Sequence, residues 1–354
     1  MPEIQEFNID KWSTQPIVEQ YGVYSYVSAL SLNELQQLAL NTNTAPLYQG
    51  LELTYGTTLG SVCLREQIAE LHSSPDVRLT AADVYPTFGQ LYLLPKYNGV
   101  DVGLWGLKET DGWFPDLEEL ADMIKPNTKV IIICNPNSPT GIVLPRDTME
   151  QVLALAQKHN IVVFTDEVHS PLFHTNEPRP PPLVSLGSLR TISTASVSKA
   201  HGLPGIRVGW VVSQDKEILR RVITLRDYTT ISVSLLDDSV AAFALSREVL
   251  PKLIEYNLRI YAESITLLDK FIESNAKRSF VQILNKDKSA SDNLIFSKKL
   301  VKEVSITVKP GSYSFAKEGA NDLKGYVRIE LGSPRRLQEA LVVLEEFLHK
   351  YDVF

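Results

Sequence analysis

The stretch SVSKAHGLPGIRVGW, Ser196 to Trp210, places Lys199 between a strand-like run and a glycine-rich turn. Ser196 stands three residues before the lysine and Arg207 eight after it. A lysine amine attacks a carbonyl carbon only after losing its proton, which requires a fixed and partly desolvated position. A hydroxyl and a guanidinium nearby are donors suited to a phosphate group. A lone lysine before a turn is ordinarily a solvated charge. Two motifs upstream give this one a chemical reading.

The first is NPNSPTG, Asn135 to Gly141, directly after a short apolar run. As a proline-rich loop it needs no function, yet a loop at a strand's carboxyl end is where ligands meet an α/β sheet. The second is TDEVH, Thr165 to His169, at the end of the next apolar run. A carboxylate such as Asp166 at a buried strand end is costly unless paired. A pyridinium N–H is one such partner, and that pairing recurs among enzymes that use pyridoxal phosphate (PLP). A helix cap or a structural ion pair is the plain alternative. Each motif alone is of middling specificity; the three in this order are highly specific.

These residues need a scaffold, and the sequence supplies an alternating one. Lys129–Cys134 (KVIIIC) is predicted to be a buried parallel strand. Asp147–His159 carries Met149, Val152, Leu153, Leu155 and Ala156 at helical spacing. Ile161–Phe164, Thr191–Ala195 and Ile206–Val212 complete the predicted strands of a doubly wound α/β sheet, with ligands beyond its carboxyl ends. A helix is expected over Leu30–Leu40 and a long one over Val249–Ser274. Beyond it, strands at Phe280–Leu284, Ile306–Lys309 and Tyr326–Leu331 and helices at Asn293–Val304 and Pro334–Lys350 predict a smaller α+β domain.

Composition narrows the class. The 354 residues carry a formal net charge of −7, with 44% hydrophobic and 22% charged residues. No basic stripe marks a nucleic-acid binder. No apolar run reaches membrane-spanning length. The opening MPEIQEFNIDKW is polar and acidic, unlike a signal peptide, so a cytoplasmic protein is expected. Cys63 and Cys134 offer neither a disulfide framework nor metal-ligand spacing.

On the three motifs, together with YPTFGQLY, RDYTTISVS and GYVRIELG, the chain resembles the class I/II aminotransferases, the fold-type-I PLP enzymes, from about Leu51 onward. Within that family it is similar to capreomycidine-synthase-like proteins and to aminotransferase-like proteins of fungal biosynthetic clusters. The resemblance implies residues 1–45 as an N-terminal segment on the small domain, 46–248 as the large PLP-binding domain and 249–354 as the small domain. It implies Lys199 as the lysine that carries PLP and shuttles protons, Asp166 as partner of the pyridine nitrogen, and Ser196 and Arg207 as phosphate ligands. Tyr55 would reach the phosphate of the neighbouring subunit's cofactor in a homodimer. Phe88 would stack on the pyridine ring, and Arg328 would clamp the substrate's α-carboxylate, for which a planar fork is suited.

The chain also departs from the family. Ser138 stands where the family has asparagine and His169 where it usually has tyrosine. Both family residues donate to the cofactor's phenolate oxygen, as serine and histidine still can. Between Val84 and Tyr85 about 25 to 30 family residues are absent, enough for one β-α-β crossover. Between Lys277 and Phe280 a further stretch of roughly one strand length is absent. The implied reaction is transamination of an amino acid, with a 2-oxo acid as acceptor, in secondary-metabolite biosynthesis. A PLP-dependent lyase or cyclase acting on a substituted, arginine-derived amino acid remains open, as does a degenerate paralogue without catalysis.

Overall fold

The computed structural model describes residues 30–39, 61–74, 84–85, 95, 98–106, 112–138, 140–174, 178–188, 190–230, 232–275, 292–311 and 325–351. They fall into two compact units that divide between Asn257 and Leu258.

The larger unit is built on a sheet of β1 (Val84–Tyr85), β2 (Val130–Cys134), β3 (Val162–Asp166), β4 (Thr191–Ser196) and β5 (Gly209–Val212), in the order β1-β5-β4-β3-β2. β2, β3 and β4 run parallel, and β5 lies antiparallel to both β4 and β1. Around it lie α1 (Leu32–Gln37), α2 (Val62–His72), α3 (Leu117–Met123), α4 (Arg146–Lys158), α5 (Lys216–Asp227), α6 (Leu235–Ala244) and the start of α7 (Leu250–Asn275). Several helices begin at side-chain caps. Ser31 forms a capping box with Glu34, Ser61 accepts from Leu64 N–H, and Asp215 accepts from Glu217 and Ile218 N–H. Helix α4 joins β2 to β3 and buries Met149, Val152, Leu153 and Ala156 against them.

Register divides the sheet into two unlike faces. Ile131 pairs with Val163 and that with Thr191; Ile133, Thr165, Ser193 and Val212 form the next row. This face is covered, by Met149 and Val152 over β2 and β3 and by Leu64, Ile68, Val240 and Ala241 near Trp210 and Val212. The opposite face carries the row Ile132, Phe164 and Ile192. There Val130 and Ile132 remain 46% and 39% exposed. The expectation of a fully buried β2 is therefore corrected: its residues alternate between the face packed against α4 and a face left open at this edge strand, although Val162, Ser196 and Val211 on the same face of the neighbouring strands are buried.

Two other expectations change. Strand β5 begins at Gly209 rather than Ile206, because Pro204–Ile206 forms a 3-10 turn and Arg207 takes φ 51°. A proline lacks the N–H a ladder requires, and a positive φ ends extended backbone. The β4-to-β5 connection is also a loop between antiparallel strands, not a crossover. Helix α1 is shorter than the Leu30–Leu40 run that predicted it.

The smaller unit holds the rest of α7, α8 (Asn293–Val304), β6 (Lys309–Pro310), β7 (Val327–Arg328) and α9 (Pro334–Tyr351). Its core joins Phe271, Phe296, Leu300, Ile306, Val308, Leu337, Leu341, Leu344 and Phe347. β6 and β7 pair antiparallel over two residues each, shorter than predicted. The strand expected at Phe280–Leu284 lies outside the described residues.

Candidate active site

Parallel pairing brings the carboxyl ends of β2, β3 and β4 level: Cys134 lies opposite Asp166, and Asp166 opposite Thr194. The three motifs leave the sheet together at this edge. Backbone hydrogen bonds stitch them, from Asn135 N–H to Asp166 O (2.9 Å), Glu167 N–H to Thr194 O (2.7 Å) and Ala200 N–H to Val168 O (3.3 Å).

The NPNSPTG loop is held by its own side chains. Asn135 is buried and its Oδ1 accepts from Leu144 N–H at 2.8 Å. The Thr140 hydroxyl donates to Asn137 Oδ1 at 2.9 Å, and Gly141 N–H to Asn137 O at 2.9 Å. Gly141 adopts φ 75°, the left-handed region that favours glycine. Ser138 sits exposed in this turn.

The lysine loop after β4 is pinned more tightly. Val197 N–H donates to Val208 O (3.2 Å), Leu203 N–H to Val197 O (2.9 Å) and Gly202 N–H to Lys199 O (3.1 Å). Asn257 Nδ2 donates to Ala200 O at 2.9 Å. Ser196 Oγ accepts from Ser198 N–H at 3.1 Å, so its own proton is left to give to an anion. Lys199 is half-buried, as its proposed chemistry demands.

Asp166 stands half-buried on the face that also carries Ser196. Its Oδ1 accepts from Val168 N–H at 3.0 Å. Burial pushes its pKa up to about 6, Val168 N–H pulls it down, Glu167 pushes it up and Lys199 pulls it down. A carboxyl desolvated to that extent is suited to a cationic N–H partner, and a pyridinium fits. Lys199, Ser196 and Asp166 thus fit PLP by the chemistry of their donor set. Arg207 is exposed, with Nη1 donating to Pro204 O at 3.0 Å. His169 is half-buried in the turn after β3. Tyr55 and Phe88 lie outside the described residues. Arg328 is on β7 in the smaller unit, ion-paired with the buried Glu330, whose Oε1 also meets Lys309. Burial first, and Glu330 second, push the nearby Tyr261 hydroxyl up to about 12.

The profile of the family described as Aminotransferase class I and II matches residues 85–344. The chain belongs to the class I and II aminotransferases. The family consists of PLP-dependent enzymes, and the α/β sheet with its helices is their fold-type-I architecture. Aspartate aminotransferase of Thermotoga maritima is 29% identical over 66% of this chain and 60% of its own length. Capreomycidine synthase of Streptomyces vinaceus is 28% identical over 64% of this chain and 59% of its own. The chain thus aligns with about three fifths of the length of these curated relatives. Among solved structures, a PLP-dependent aminotransferase of Streptococcus suis superposes with TM-score 0.83 at 28% identity, covering 99% of both chains. The Thermotoga aspartate aminotransferase superposes with TM-score 0.76 at 21% identity, covering 98% of this chain and 97% of that one, a likeness of fold.

One group beside these residues was not singled out from sequence. Glu167 is buried beside Asp166; its Oε1 accepts from Leu183 N–H (2.8 Å) and Ser193 Oγ (3.2 Å), and its Oε2 lies 3.3 Å from His72 Nδ1. Trp210 Nε1 donates to His72 Nε2 at 2.9 Å. Glu167 lies inside TDEVH and Trp210 ends the lysine stretch, whereas nothing in the sequence marked His72. Replacing Trp210 with Phe leaves the buried His72 acceptor unpaired and removes volume from the core. The substitution is expected to cost about 2–4 kcal/mol in urea unfolding. A loss below experimental error would show that this bond contributes nothing.

Proposed function

We propose that the chain is a PLP-dependent aminotransferase acting on the α-amino group of an amino acid, in secondary-metabolite biosynthesis. The carrying observation is that Lys199, Ser196 and Asp166 meet at the carboxyl edge of β3 and β4, with Asp166 desolvated. Bound PLP supplies an electron-withdrawing ring that stabilises negative charge developing at the substrate's α-carbon. Lys199 holds the cofactor and moves the proton at that carbon. Asp166 keeps the ring nitrogen's proton in place, and Ser196 and Arg207 donate to the phosphate. Ser138 and His169 donate to the phenolate oxygen, and Phe88 stacks on the ring. On the family resemblance alone, Arg328 takes the α-carboxylate. The domain division at 1–45, 46–248 and 249–354 belongs to the same reading.

The similarity to capreomycidine synthase favours a second reaction at the same site, elimination or cyclisation on a substituted, arginine-derived amino acid. Incubating protein and PLP with amino acids, with and without a 2-oxo acid, separates them: transamination requires the acceptor and elimination does not. No turnover under either condition, with no cofactor fixed by borohydride, would favour a degenerate paralogue. The exposed end of β2 at the sheet edge supports reading the chain as lacking a crossover.

The proposed active form is a cytoplasmic homodimer with no nucleic-acid or membrane partner. No described helix is long and apolar enough to cross a membrane. Val62, Leu225, Tyr228 and Leu236 are large apolar side chains left exposed on the larger unit. Ser61 N–H donates to Asp238 Oδ1, which brings the start of α2 to that of α6. The neighbouring exposed Val62 and Leu236 suit a self-complementary two-fold contact. The expected sedimentation mass is twice that of the 39.6 kDa chain. A fully active monomer would contradict the dimer and the shared role of Tyr55.

A further inference from the structure

His201 lies two residues beyond Lys199 and is entirely buried. Its Nδ1 is 3.2 Å from the carbonyl oxygen of Ser196, on the near side of the lysine. Its ring centroid is 6.1 Å from that of Trp210. Its other nitrogen, Nε2, is buried with no hydrogen-bond partner.

A carbonyl oxygen only accepts, so Nδ1 carries the proton and Nε2 is a bare lone pair. Burial, opposed by the Ser196 carbonyl and aided by His72, pushes the imidazole down to about 4. The ring is therefore neutral at neutral pH, with its single N–H committed to Ser196. A buried acceptor without a partner is unfavourable. Leucine or phenylalanine would fill the space beside Trp210 without it. The benefit that offsets this cost is the bond made by Nδ1.

We infer that His201 is a positioning residue for Lys199, its Nδ1–H tying the Ser196 carbonyl to the far side of the loop that carries the lysine. The bond spans Ser196 to His201 and encloses Lys199. Asn257 holds Ala200 within the same loop from α7, and Ala200 N–H binds Val168 O in the loop after Asp166. The tie fixes two proposed PLP contacts at once, the Ser196 hydroxyl and the Lys199 amine. This role toward catalysis rests on the function proposed above.

Three variants separate the bond from the volume. Asparagine in His201→Asn places an amide N–H close to where Nδ1 stands. Glutamine in His201→Gln places it near Nε2, and His201→Leu has none. The first readout is hydrogen exchange of the 196–203 segment in cofactor-free protein. The second is kcat and KM for transamination with PLP. His201→Leu and His201→Gln are expected to exchange about tenfold faster in this segment. Their kcat should fall about 10- to 100-fold with KM unchanged, the consequence of a displaced catalytic group. His201→Asn should stay near wild type in both. If Asn and Leu behave alike, both intact or both impaired, the inference is overturned. Should His201→Leu fail to fold, the Asn and Gln pair decides by the same criterion. If wild-type protein shows no turnover with PLP, the proposed function fails, and the exchange comparison alone still decides whether Nδ1 holds the loop.

Discussion

Lys199→Ala is expected to abolish covalent retention of PLP and to lower kcat by about 10⁴-fold, the loss of a positioned acid-base group. The side chain is half-buried, and its backbone is held without it: Gly202 N–H still reaches the carbonyl of residue 199 and Leu203 N–H that of Val197. The fold should therefore survive, and cofactor-free variant and wild type should melt within a few degrees of each other. PLP can still bind the variant through Ser196 and Asp166, but dilution should release it, whereas wild type should hold it. Mass spectrometry after borohydride reads the difference directly. Wild type should gain one reduced cofactor on the peptide containing Lys199, and the variant should gain none. A covalent adduct at wild-type yield in Lys199→Ala would remove the lysine from its proposed role. A second consequence follows from charge. Lys199 lowers the pKa of Asp166, so its loss should raise that carboxyl further above about 6.

The candidate site was legible because its parts are local. The run KVIIIC, the spacing Met149, Val152, Leu153 and Ala156, and the apolar run ending at Phe164 gave β2, α4 and β3 close to their observed bounds. Helix α8 was predicted at its observed limits, since Asp292 caps its first N–H groups and Ser305 ends it at φ 56°. What escaped depends on contacts distant in sequence. The exposure of Ile132 is set by what covers the second face of the sheet, which the strand's own hydrophobicity does not reveal. The Trp210–His72 bond joins residues 138 apart, and neither type declares a partner. The misplaced start of β5 is different, because Pro204 and Gly205 signalled a turn that the apolar pattern from Ile206 overrode. His201 is a third case: it lies within the quoted lysine motif, yet only burial shows that one nitrogen is used and the other is not.

Asp166→Asn is expected to make the cofactor-free protein more stable and the loaded enzyme slow. Burial pushes the Asp166 carboxyl from its ordinary 3.8 up to about 6 in the folded chain. The folded state therefore holds this proton more tightly than the unfolded chain. That stabilising contribution is complete below pH 3.8 and is lost as pH rises through about 6. At pH 8 the ionised carboxylate then costs the empty protein up to about 3 kcal/mol, at about 1.4 kcal/mol per pKa unit. Asparagine removes the charge and keeps an amide oxygen that can accept from Val168 N–H. Cofactor-free Asp166→Asn should thus melt several degrees above wild type at pH 8, and the gap should close as pH falls toward 4. PLP reverses the balance, because a neutral amide does not hold the proton on the ring nitrogen, and an unprotonated ring is the poorer electron sink. Turnover should fall about 10²-fold or more, in the range of a lost charge-stabilising contact at a developing charge. Stability gained where activity is lost marks a carboxylate placed for a partner that the chain itself does not supply. Melting curves that coincide at pH 8, together with unchanged turnover, would make Asp166 a structural acid and leave the desolvation at the end of β3 without a function.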